Sequence, residues 1–141
     1  LVISAKKTLL ETNPVSIVGV ATQPVWAKNT TREDGLEVDN GFDMVKQGHA
    51  DIKFWIIDQK IDFLLVKTHF TLDSKTLPYK TIIDWWAKLC NANNMLLYTS
   101  FADSSMGTKG WQSPDEMALQ WAACNDLEGW NGGFFHSLQN R

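Results

Sequence analysis

Three residues near the middle of the chain have side chains that could act together on a metal ion and a bound substrate: Asp51, Lys67 and His69. A carboxylate and an imidazole are ligands of divalent cations, and a lysine beside them can stabilise developing negative charge. The three groups can cooperate only if the segments that carry them are paired in space. The sequence predicts this pairing, because both segments have the pattern of half-buried strands.

Residues 50–58 and 62–72 alternate apolar and polar side chains, which is typical of strands with one buried face. The three-residue link between them predicts an antiparallel hairpin. A three-residue loop pairs residue 58 with residue 62, so position 51 lies opposite position 69. The apolar side chains of both strands then share the other face of the hairpin. The polar face then carries Asp51, Lys67, His69 and Trp55.

This element order and residue placement resemble the PD-(D/E)xK nucleases, a superfamily with an αβββαβ core. The resemblance covers about residues 4–101. It implies that Asp51 binds a catalytic Mg²⁺ or Mn²⁺, that Lys67 acts in catalysis and that Glu11 is the acid of the first helix. Leu65 stands where the superfamily has its second carboxylate, so the motif is degenerate.

Tryptophan is the compositional outlier, with seven among 141 residues. An exposed indole can anchor a protein partner or stack on a sugar or a base. Four of the seven are candidates for such contacts because they lie on the polar strand face, next to a second tryptophan on a helix, or in loops near glycine. These candidate binding residues are Trp55, Trp85, Trp111 and Trp130.

The remaining segments predict a fold class. Helical periodicity or capping signals predict helices over residues 4–11, 81–91 and 113–127, and β-branched or apolar runs predict strands over 15–20 and 95–101. The order becomes α-β-β-β-α-β-α. The sequence therefore predicts an α+β domain with a small mixed, mainly antiparallel sheet and helices.

Length, charge and cysteine content restrict the class of protein. With 141 residues, 44% of them hydrophobic, the chain is predicted to be one globular domain over residues 1–141, with a long polar loop at 30–48. A net charge of −3 argues against non-specific nucleic-acid binding. No apolar stretch suggests a membrane span, and Cys90 and Cys124 are expected as buried residues of helices, so we expect a cytoplasmic protein.

These observations favour a small acidic protein-binding or interaction module, of the inhibitor or adaptor kind, with a tryptophan-bearing contact surface. Its expected partner is another protein, and no cofactor is expected. One alternative is a metal-dependent nuclease of PD-(D/E)xK-like topology, which would use Mg²⁺ or Mn²⁺. A second alternative is a small-molecule or carbohydrate-binding domain, which a deep pocket lined by tryptophan and polar groups would favour.

Overall fold

The computed structural model describes residues 2–136, and within them four strands form one sheet. The strands are β1 (Gly19–Thr22), β2 (Phe63–Thr68), β3 (Leu96–Phe101) and β4 (Trp130–Phe135). The α-helices of this part of the chain are α1 (Val2–Thr12), α2 (Ile52–Ile57), α3 (Tyr79–Ala92) and α4 (Glu116–Asn125). None of these helices is both long and apolar enough to cross a membrane.

The four strands lie side by side in chain order, and every neighbouring pair is parallel. Parallel neighbours need a crossover connection, and the segments containing α2, α3 and α4 supply the three crossovers. A doubly wound sheet reverses its strand order at a switch point, and this sheet does not. The order β1-β2-β3-β4 is instead that of consecutive strand–helix units in a (β/α)₈ barrel.

The predicted fold class, with a mainly antiparallel sheet, is therefore wrong, and the error begins at α2. The segment expected as the first hairpin strand is a helix, in which Ile52 and Ile56 are buried one turn apart while Phe54 is 48% exposed. Asp51 caps this helix, because its carboxylate accepts the Phe54 N–H at 3.1 Å. The four-residue spacing of Ile52 and Ile56 fits both the two-residue period of a strand and the 3.6-residue period of a helix. Packing against the sheet selects the helix.

The two faces of the sheet differ in their covering. Leu64 and Val66 of β2 and Leu97 and Phe101 of β3 are buried with residues of α2, α3 and α4 in one core. The strand residues between these buried positions point to the opposite face of the sheet, and most of them are partly exposed. We call this second surface the open face; its members are Phe63, Leu65, Lys67, Leu96, Tyr98, Ser100 and Phe134.

Asp43 organises the long segment between β1 and α2, which contains the predicted polar loop. Its carboxylate is 1% exposed and accepts hydrogen bonds from Lys28 N at 2.9 Å, Lys46 N at 2.7 Å and the Thr31 hydroxyl at 2.7 Å. Burial disfavours the charged form, but these donors outweigh it and hold the pKa of Asp43 below its usual value. One buried carboxylate therefore fixes a connection that has little regular structure of its own.

Candidate active site at the carboxyl edge of the sheet

Parallel strands end at the same edge of a sheet, and α/β proteins place their sites at that edge. Here the edge carries His69 directly after β2, Ser100 near the end of β3 and His136 directly after β4. Alternation places all three on the side of the open face. The fold thus gathers polar groups from three neighbouring strands.

The three side chains are in contact. His69 Nε2 and Ser100 Oγ are 3.1 Å apart, and the His69 and His136 rings stack with centroids 5.5 Å apart. The backbone N–H of His136 donates to the Phe101 carbonyl at 2.8 Å, which fixes the start of the segment after β4. Ser100 is only 4% exposed, so its hydroxyl forms the base of the cluster and the imidazoles form its outer part.

Electrostatics keeps His69 neutral at physiological pH. Partial desolvation lowers the pKa of His69 below its usual value, and the nearby positive groups of His136 and Lys67 lower it further. A neutral imidazole has one donor and one acceptor nitrogen, and a serine hydroxyl can act as either. The pair can therefore bind hydroxyl groups of a ligand, or pass a proton between a ligand and solvent.

Aromatic rings line the open face below this polar edge. Tyr98 lies between Phe63 and Phe134, with ring centroids 5.9 Å and 5.6 Å away and both contacts edge-on. A Cβ on Gly19 would lie 2.0 Å from the Phe63 ring, so the absence of a side chain there lets this ring lie flat on β1. An apolar surface with a few convergent polar groups is typical of small-molecule sites.

Helix α4 holds the loop that carries His69. Glu116 accepts the Leu72 N–H at 2.7 Å, and Gln120 donates to the Phe70 carbonyl at 3.0 Å and to Glu116 at 2.8 Å. Glu116 is 8% exposed and Gln120 is fully buried, so these bonds are shielded from water. The carboxylate of Glu116 thereby joins the first turn of α4 to the chain after β2.

The structure does not bring Asp51 to Lys67 and His69. Asp51 accepts the Trp26 indole N–H at 3.0 Å, and Trp26 stacks on Trp85 of α3 with centroids 5.5 Å apart. Asp51 therefore lies on the helical side of the sheet, whereas Lys67 and His69 lie on the open side. Within residues 2–136 no group of three or more His, Cys, Asp or Glu side chains is arranged to hold a metal ion.

The four predicted tryptophans lie apart and are all partly exposed. Trp55 and Trp85 pack at the margin of the core, and Trp130 donates its indole N–H to Thr99 at 3.0 Å on the helical side of β4. Trp111 lies in the loop that leaves the carboxyl end of β3, which is the end that holds His69. The tryptophan with the largest exposed fraction, Trp121 at 39%, was not among the candidates.

No family model matches the chain. The chain is similar to glycosyl hydrolase YngK of Bacillus subtilis (strain 168). The two are 22% identical over 143 residues, which cover 99% of this chain and 28% of YngK. The chain therefore spans less than a third of the length of this relative. The match to YngK extends over all four strands and so over the carboxyl edge.

Sequence reasoning missed Ser100 and His136 as site residues. Both were visible as polar residues at the end of, or directly after, short apolar runs, in the same way as His69. Such positions converge only if the strands are parallel, and an antiparallel sheet sends them to opposite edges. The signal was present in the sequence, but its meaning depended on the direction of the strands.

Proposed function

We propose that this chain forms four consecutive strands of a carbohydrate-processing α/β barrel, with the helices that connect them, and binds saccharide at its carboxyl edge. The observation that carries the proposal is the contact of His69, Ser100 and His136 at the ends of three parallel strands. The similarity to YngK, a protein named as a glycosyl hydrolase, supports a carbohydrate as the ligand.

The chemistry of the edge suits a sugar. Saccharide hydroxyls need both donors and acceptors, and the two imidazoles and the serine hydroxyl provide both. The C–H faces of a sugar ring pack on apolar surface, and the Tyr98 and Phe134 rings of the open face provide it directly below the polar groups. This corresponds to the carbohydrate-binding alternative in the sequence analysis.

Hydrolysis of a glycoside requires two carboxyl groups about 5–9.5 Å apart on either side of the scissile bond. Asp103, in the short turn after β3, is a candidate for one of them, because it is partly exposed at the carboxyl edge. Glu116 is occupied by the Leu72 N–H and Gln120. We therefore assign saccharide binding to this chain, and propose Asp103 as a candidate for one of the two acids of a hydrolase.

Calorimetric titration with soluble tetrasaccharides of hexoses, pentoses, uronates and N-acetylhexosamines tests the proposal. His69→Ala should weaken binding about tenfold, equivalent to about 1.4 kcal/mol, because it removes a hydrogen-bonding group and exposes Ser100 to water. His49→Ala is the matched control, since His49 is an exposed histidine in the loop before α2. Absence of binding at millimolar saccharide, or equal weakening by both variants, would exclude the proposed function.

A protein contact is the second candidate, and exposed apolar side chains on the open face favour it. Leu96 is 46% exposed and Phe134 is 52% exposed, and β1 and β4 are the edge strands of the sheet. We propose that a second copy of the chain covers this face. Sedimentation equilibrium should then show a dimer that Phe134→Lys disrupts and that Leu119→Lys, an exposed site on α4, leaves intact. A monomer at all concentrations contradicts it.

A further inference from the structure

Three basic side chains lie together at the carboxyl edge of a chain whose net charge is −3, an edge that also carries Asp103 in the turn after β3. Lys67 precedes His69 by two residues on β2 and points to the same side of the sheet, and His136 stacks on His69 from β4. The ends of β2 and β4, on either side of β3, thus place one ammonium group and two imidazoles around Ser100.

None of these groups has an acidic partner in the described part of the chain. The ion pairs found within residues 2–136 involve other basic side chains, namely Lys6, Lys7, Arg32, Lys53, Lys60 and Lys88. Lys67 differs from the exposed lysines because it lies on the sheet and is only partly exposed. An ammonium group that forms no ion pair within the described residues is available to pair with a bound anion.

We infer that the saccharide bound at the carboxyl edge is a uronic acid oligomer, whose carboxylate lies against Lys67 while its hydroxyl groups bind the imidazoles. This inference rests on the proposed function and adds the charge of the ligand. A neutral sugar would leave the Lys67 ammonium group without a counter-charge. A carboxylate neutralises it and can also accept a hydrogen bond from a protonated histidine.

The preference for an acidic ligand should increase as the pH falls. The titratable and charged groups that face His69 are Lys67 on its own strand and His136 from β4; Ser100 of β3 does not titrate. At pH 7 His69 is neutral, so Lys67 supplies most of the attraction. Protonation of His69 below its lowered pKa adds positive charge while a uronate remains ionised, so binding becomes tighter as the pH falls through that pKa.

The test compares β-1,4-linked triglucuronate and α-1,4-linked trigalacturonate with their methyl esters, which have nearly the same shape but no charge. The unaltered chain should bind at least one acid about tenfold more tightly than its ester at low salt. Lys67→Met keeps the aliphatic chain and should reduce this ratio to about one. Lys80→Met, at an exposed lysine of α3, should leave the ratio unchanged.

Each result separates this inference from the proposed function. If the esters bind as tightly as the acids, the inference is wrong and the saccharide site stands. If neither acids nor esters bind while neutral tetrasaccharides do, the inference is again wrong. If no saccharide binds at all, both fail. A preference for the acids that survives Lys67→Met also overturns the inference, because a group other than Lys67 would then recognise the carboxylate of the ligand.

Discussion

Replacing Asp43 with asparagine should destabilise the protein far more than an ordinary loop substitution. One oxygen of Asp43 accepts the Lys46 N–H, and the other accepts the Lys28 N–H and the Thr31 hydroxyl. Asparagine is almost the same size but has one acceptor oxygen and one NH₂ group. In either orientation of the amide, a backbone N–H that was bonded to a carboxylate oxygen faces another donor.

The size of the effect follows from these contacts. An unsatisfied, shielded N–H costs about 1–3 kcal/mol, and the loss of charge assistance in the remaining bonds adds about 1 kcal/mol. We therefore expect a loss of about 2–4 kcal/mol in the free energy of unfolding. For a chain of this size that corresponds to a fall of roughly 5–15 °C in Tm.

Urea denaturation followed by circular dichroism measures this loss, with Asp39→Asn, an exposed aspartate of the same segment, as control. The control should change stability by less than about 0.5 kcal/mol. The folded-state pKa of Asp43 is lowered, so its contribution is complete above the unfolded value of about 3.9 and is lost as the pH falls through the folded-state pKa. A variant as stable as the unaltered chain, or a difference that does not shrink as acid protonates the Asp43 carboxylate, would refute this account.

Three further substitutions or treatments have defined outcomes. Gly133→Ala should cost about 1–3 kcal/mol in thermal unfolding, because the new Cβ would lie 2.3 Å from the buried Phe101 ring; no loss of stability would contradict this packing. Burial raises the pKa of Cys90 to about 12 and also raises the pKa of Cys124, so a disulfide reagent at pH 8 should label both thiols only after unfolding. Asp51→Ala should lower the free energy of unfolding by about 1 kcal/mol, because α2 loses its cap, and should leave saccharide affinity within about twofold. A larger loss of affinity would show that Asp51 belongs to the binding site.

Local sequence patterns were sufficient where one segment alone decides its structure. The apolar spacing predicted a helix over residues 81–91, and α3 runs from Tyr79 to Ala92 with that apolar face buried. The apolar run at 95–101 became β3. Cys90 and Cys124 were expected to be buried in helices, and both are buried free cysteines. A helix face or a buried strand is encoded within about ten residues, so periodicity detects it.

Patterns failed where two local structures share one signal. Alternating apolar residues and β-branched Ile52 and Ile56 favoured a strand, yet the same two residues lie one helical turn apart. No strand was predicted after the last helix, yet residues 130–135, with two adjacent glycines, form β4. Gly133 weakens the strand signal, but its missing side chain is what allows Phe101 and Trp121 to pack against this strand.

The sequence by itself determined which segments are apolar enough to be buried, the positions of α3 and β3, and the presence of histidines beside strand ends. Only the tertiary structure decided that the strands run parallel, that Asp51 caps a helix on the far side of the sheet, and that His136 lies against His69 from 67 positions away along the chain. The physical reason is that strand direction depends on how each crossover packs against the whole sheet, so it is a property of contacts between distant segments and leaves no periodic pattern in any one of them.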